Sequence, residues 1–210
     1  MQRVLNTAGR HYNEYYLTGP SATLFDMKNM VETDTRIVNL VAIAGIFVVI
    51  LLTFRSLTLP LFLVFTIKAA IWINLSFAYF SHNTLSFIGY LIISTVQLGA
   101  TVDYAILLTN NYMTARKRLP KKEAMQKTLT ENLTAILISA GILALSGFIL
   151  AATTSNPIIA ELGTLLGRGT VLSFVLVVSV LPALLIIFDK VIERTTLKSG
   201  FRAPESPQEK

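Results

Sequence analysis

Apolar residues in this chain run in blocks, separated by short polar links. Five blocks are long enough to cross a hydrocarbon core of ~30 Å as helices. They cover about Ile37–Phe54, Pro60–Phe80, Leu85–Asn111, Leu133–Thr153 and Arg168–Phe188. The pattern predicts an all-α integral membrane protein, a five-helix transmembrane bundle over residues 37–189. Residues 1–36 are polar and mixed, with a turn at Thr18-Gly19-Pro20-Ser21 and a lead-in helix over Ala22–Arg36. They read as a short extracytoplasmic segment. Residues 190–210 carry Gly, Pro and charge, and read as a disordered cytoplasmic tail.

The links refine this outline. Pro120–Asn132 is Lys-rich and predicts a short separate helix between the third and fourth spans. Its cations read either as a solvated connector or as lipid-headgroup contacts. Ser155-Asn156-Pro157 supplies a helix start. The glycines of Gly163–Gly169 are expected to kink or interrupt the helix that follows. Ala140, Ala144, Gly147 and Ala151 are spaced for close helix packing.

Composition agrees with a membrane protein: 53% hydrophobic residues against 14% charged. A soluble domain carries about 25% charged residues. The net charge of +6 comes from Lys and Arg beside the spans, so topology explains it better than nucleic acid does. Arg116, Lys117, Arg118, Lys121, Lys122 and Lys127 fill the third link, and the second and fourth links have no Lys or Arg. By the positive-inside bias, the third link and the C-terminus are cytoplasmic and the N-terminus outside, as a multi-pass protein of the cell membrane. An odd number of spans after an outside N-terminus without a signal of its own suggests the C-terminal half of a longer arrangement.

One group stands out chemically. Asp103 is the only acid between Asp34 and Glu123, and lies inside the third span. An intramembrane carboxylate marks ion or proton pathways more often than structural pairing. Burial there would raise its pKa toward the range where protons exchange at cellular pH. Gly99, one turn earlier, leaves room beside it, and Tyr104 offers a hydroxyl for a proton chain or a plain core aromatic. Lys68 lies at matching depth in the second span, either paired with Asp103 or snorkelling to headgroups. Glu161 and Arg168, seven residues apart, read as a structural pair.

Other chemistries lack their residues. There is no cysteine, and His11 and His82 have no ligand-spaced partner, so neither metal nor cofactor is expected. The stretch GTLLGRGT at Gly163–Thr170 departs from the phosphate-loop order. No nucleophile has an adjacent base, so an enzyme is not expected.

The segment Gly99-Ala100-Thr101-Val102-Asp103-Tyr104, with Arg116-Lys117-Arg118 after it, resembles the C-terminal transmembrane half of MMPL-type transporters in the resistance–nodulation–cell division superfamily. Tyr16–Ser21, Glu161–Gly169 and Leu181-Pro182-Ala183-Leu184 are similar to other parts of that half. The resemblance implies a GxxxDY motif of the kind found on the fourth and tenth of twelve helices, where two Asp-Tyr pairs meet and relay protons. Asp103 and Tyr104 would be the second pair. It also implies export of lipids, amphiphiles or hydrophobic drugs driven by the proton-motive force. The partners expected are membrane lipid, a small hydrophobic or amphiphilic substrate, and the missing first half or an oligomer; nucleic acid is not expected. Two departures stand against full agreement. Asn110-Asn111 replaces an Arg frequent in the family, and the first six helices and both porter domains are absent. The competing class is a non-transporting membrane module, either a lipid-sensing or assembly scaffold or an inactive truncated fragment.

Overall fold

The structure is a computed structural model that describes residues 20–80 and 87–196. These form six helices: α1 (Pro20–Phe54), α2 (Thr58–Phe80), α3 (Phe87–Arg116), α4 (Lys121–Thr153), α5 (Pro157–Ile187) and the short α6 (Asp189–Thr195). No strand occurs among the described residues. Among the described residues four stretches are long and apolar enough to cross a membrane: Arg36–Phe54, Thr58–Phe77, Lys121–Thr153 and Pro157–Ile187. α3 carries Ser94, Gln97, Thr101, Asp103, Thr109, Asn110 and Asn111 along its apolar run.

The chain divides into two compact units, 1–41 and 42–210. The first unit's described part is the opening of α1. The expected lead-in is therefore helical, and it runs without a break into the first apolar span. The turn at Thr18–Ser21 falls largely outside the described residues.

In the second unit α5 is the central element, packing most closely on α4 and also on α2 and α3. The core gathers Ile50 and Phe54 of α1, Leu59, Leu63, Ile67 and Ile71 of α2, Leu98, Leu108 and Tyr112 of α3, and Val177, Leu181 and Leu185 of α5. The faces turned away from this core are apolar as well, with Leu52, Leu61, Trp72, Ile142 and Leu145 all more than half exposed. A soluble protein rarely shows so much apolar surface, whereas hydrocarbon accommodates it.

Two expectations about breaks are corrected. The separate helix over Pro120–Asn132 does not form; Lys121–Thr153 is one helix, for nothing inside it removes a backbone donor. Asn132, at the predicted joint, donates from Nδ2 to Thr128 O at 2.8 Å and so stays within the helical frame. The glycines of 163–169 do not interrupt α5 either. They serve packing instead. A Cβ on Gly163 would lie 2.7 Å from Ala151 N, and one on Gly147 would lie 2.6 Å from Gly167 N. Only residues without a Cβ allow the two backbones this approach. The small-residue stripe read on the fourth span is thus in use, with Ala140, Ala144 and Gly147 buried.

The predicted start at Ser155–Pro157 is present: Asn156 is the N-cap, its Oδ1 accepting from Ile158 N at 3.0 Å, with Pro157 following. Pro182 lies buried inside α5. The tail expected to be disordered from residue 190 opens as α6, whose Ile192 is fully buried in the core; residues 197–210 lie outside the described residues. Between α1 and α2, Arg55 turns the chain with φ of 50°, a left-handed conformation uncommon for a residue with a Cβ.

Candidate functional site

α3 carries the chemistry, and its sides differ. Val96, Gly99, Asp103, Leu107, Asn110 and Thr114 recur at spacings of three and four residues, and all are exposed. This is one continuous helical stripe. The other side, through Gln97, Thr101, Tyr104, Leu108 and Tyr112, is buried against the bundle.

Asp103 is exposed on this stripe: among the described residues no helix of this chain covers it, and it takes part in no hydrogen bond or ion pair. A Cβ on Gly99 would meet nothing within 4 Å, so the space predicted beside Asp103 is open. Tyr104 follows in sequence but turns inward, 8% exposed. Consecutive helical positions diverge by about 100°, and no described hydrogen bond joins the two side chains. Lys68 is half-buried on α2, and it makes no ion pair with Asp103.

Two polar clusters fix the inner side of α3, and sequence reading foresaw neither. One lies on the N-terminal side of Asp103 along α3. Gln97 Nε2 donates to Gly169 O and to Ser173 Oγ, each at 3.1 Å. Asn74 Nδ2 donates to Gln97 Oε1 at 3.0 Å and to Leu165 O at 2.9 Å. Arg168 completes the cluster, its Nε donating to Asn74 Oδ1 at 2.8 Å. Arg168 is therefore oriented by Asn74 and is not a partner reserved for Glu161. Gly169 permits the arrangement, since a Cβ there would strike both Gln97 Oε1 and Asn74 Nδ2.

The second cluster closes the opposite end. Asp189, 3% exposed, accepts from Arg116 Nε at 3.0 Å and Nη2 at 2.9 Å, and from the Tyr112 hydroxyl at 2.7 Å. Arg116 Nη1 also reaches Leu119 O at 3.2 Å. Its hydrogen bonds to Asp189 hold the guanidinium above its ordinary pKa, with burial opposing. Close by, Ser56 bridges to Thr196, and the Thr58 and Thr195 hydroxyls are 2.8 Å apart. The α1–α2 link, the end of α3 and α6 therefore meet, gathering Arg55, Lys117, Arg118, Lys190 and Arg194 at one end of the bundle. Of Asn110 and Asn111, the second donates to Asn132 Oδ1 on α4, and Asn110 is exposed on the Asp103 stripe.

The polar residues of these clusters were visible as interruptions of the apolar runs: Asn74 in the second, Gln97 in the third. What the sequence hides is which of them meet. Among the described residues no group of three His, Cys, Asp or Glu could hold a metal ion.

Helices of membrane-spanning length, apolar outer faces and charge gathered at one end define a multi-pass membrane protein. A model of the MMPL family matches residues 5–203, and the chain belongs to that family. SCO0839 and ActII-3 of Streptomyces coelicolor are each 26% identical, over 83% of this chain and 25% of their own length. The "Probable transport protein MmpL12" of Mycobacterium tuberculosis is 26% identical over 81% of this chain and 15% of its own. The chain thus spans about a quarter or less of the curated relatives it matches. Its family is one of transporters rather than enzymes.

Proposed function

We propose that this chain is the proton-coupled part of a secondary exporter of lipids, amphiphiles or hydrophobic drugs, driven by the proton-motive force. Asp103 is the group that gains and loses the proton, with Tyr104 beside it on the inner wall of α3. The observation that carries this reading is the placement of Asp103. It is the one carboxylate on a stripe of α3 that its own bundle leaves uncovered. A carboxylate in that position is costly facing lipid, and is tolerable where another protein body covers it and supplies partners. The rest of a longer transporter, or a second chain, fills that role. Protonation would then change how the two bodies attract each other across the stripe, and rocking of one against the other gives alternating access.

α3 is read as the fifth crossing. Its polar content suits a helix enclosed by two bodies better than one bathed in lipid. The gathering of basic residues at one end supports a cytoplasmic C-terminus, and with five crossings an N-terminus outside, in the cell membrane.

The test is Asp103→Asn in the assembled transporter, reconstituted in vesicles with an imposed pH gradient. Insertion should be unchanged and gradient-driven efflux abolished. Full efflux in the variant would refute the relay. Efflux of neither protein, with lipid binding intact, would favour a lipid-sensing scaffold.

A further inference from the structure

Among the described residues, the partners of the Arg168 cation carry no charge. Besides the Asn74 side chain, it reaches Asn74 O from Nη2 at 3.0 Å, and its guanidinium carbon lies 4.8 Å from the centroid of the Phe77 ring. Of the five N–H donors on a guanidinium, Asn74 engages two. The surrounding cluster of Gln97, Ser173 and the Leu165 and Gly169 carbonyls is neutral throughout. The ion pairs of Arg116 with Asp189 and Lys127 with Glu131 do not involve it. Glu161 is two turns away, ~10 Å along the helix. The link 81–86 between α2 and α3 contains no acid.

The position of this cation along the bundle matters as much. Arg168 to Phe188 spans about 30 Å of helix, the thickness of the hydrocarbon core. With Phe188 at the headgroups of one leaflet, Arg168 is level with those of the other. The remaining described basic clusters lie at the Phe188 end, so the topological bias that explains them does not explain Arg168. Phe77, which lies against the guanidinium, recurs with Ile73 and Phe80 at spacings of four and three on α2, and Ile73, Phe77 and Phe80 are 41%, 45% and 77% exposed. A charged head and an apolar rail thus adjoin.

We infer that Arg168 binds the anionic headgroup, carboxylate or phosphate, of an amphiphile in the leaflet remote from the basic end, with its alkyl chain along Ile73, Phe77 and Phe80. Asn74 holds the guanidinium through two donors and leaves the rest for the incoming oxygens, a charge-assisted contact stronger than a neutral one. This deepens the exporter reading by naming a ligand class, but the binding itself requires no proton relay.

The experiment uses the purified full chain in a neutral detergent, with radiolabelled laurate in equilibrium dialysis, inorganic phosphate and dodecanol as competitors. Saturable laurate binding is expected, displaced by neither competitor. Arg168→Gln should weaken it by about tenfold or more, as expected for a lost charge-assisted hydrogen bond, and Arg168→Lys should retain most of it. Asn74→Asp supplies an internal counter-charge and should also weaken binding, while thermal unfolding reports whether each variant is folded. If Arg168→Gln does not fold, Asn74→Asp decides. Asp103→Asn should bind laurate normally, which separates this proposal from the relay. Absence of saturable binding, or equal binding by the folded Arg168→Gln and Asn74→Asp variants, would overturn it. Displacement by inorganic phosphate would reduce the site to one for free anions.

Discussion

Arg116 and Asp189 illustrate what a single charge means in this chain. Asp189 receives three donors and is nearly inaccessible, so removing its carboxylate takes from Arg116 its buried ion-pair partner. Breaking a buried pair from one side costs about 3–5 kcal/mol, whereas replacing both partners by apolar residues can be nearly neutral. Asp189→Ala should therefore lower the thermal unfolding temperature of the detergent-solubilised chain markedly, and Arg116→Leu combined with Asp189→Leu should lower it less. If the double variant were the less stable, the pair would be contributing more than mutual compensation. Tyr112→Phe removes one donor and should cost about 1–3 kcal/mol. At this scale the sequence exposed Asp103, Tyr104 and Lys68, because an isolated charge in an apolar run is conspicuous in one dimension. It concealed Asp189, which follows a span and looks like an ordinary interfacial acid. Its burial comes from Arg116 and Tyr112, some seventy residues earlier, and no local pattern announces such a meeting.

Helix boundaries were legible wherever a backbone rule applied. Asn156-Pro157 starts α5 because a side-chain acceptor and a preset φ are local properties. The glycines of 163–169 misled, since absence of a Cβ has two uses: freeing the chain or letting another backbone in. The partner decides which, and here the partner is α4. Gly147→Ala should accordingly separate α4 and α5, because the new methyl would meet backbone at 2.6–2.9 Å and backbone cannot swing aside. Overpacking of this kind costs about 1–3 kcal/mol, measurable as earlier unfolding of the purified chain. Ala at Gly141, where nothing lies within 4 Å, is the control and should not destabilise.

For the molecule as a whole, the sequence revealed a membrane protein with its charge biased to one end. It placed Asp103 in the interior of a span but not on an uncovered side of the bundle, since coverage depends on which faces α2 and α5 occupy. That stripe yields a prediction at this scale. Gly99→Leu fills space that is empty within the chain, so the isolated protein should unfold as before. On the proposed reading, assembly with the covering body should weaken, seen as reduced co-purification of the separately expressed first half. Unchanged co-purification would place the partner elsewhere.

Pro182 has no amide hydrogen, so the Val178 carbonyl lacks its helical donor near the C-terminal end of the bundle's central element. Bending α5 there breaks no bond that the ladder still has. The long part of α5 that carries Arg168 and its short end before α6 are thus joined by a natural pivot, and a tilt of the first need not be transmitted in full to the second.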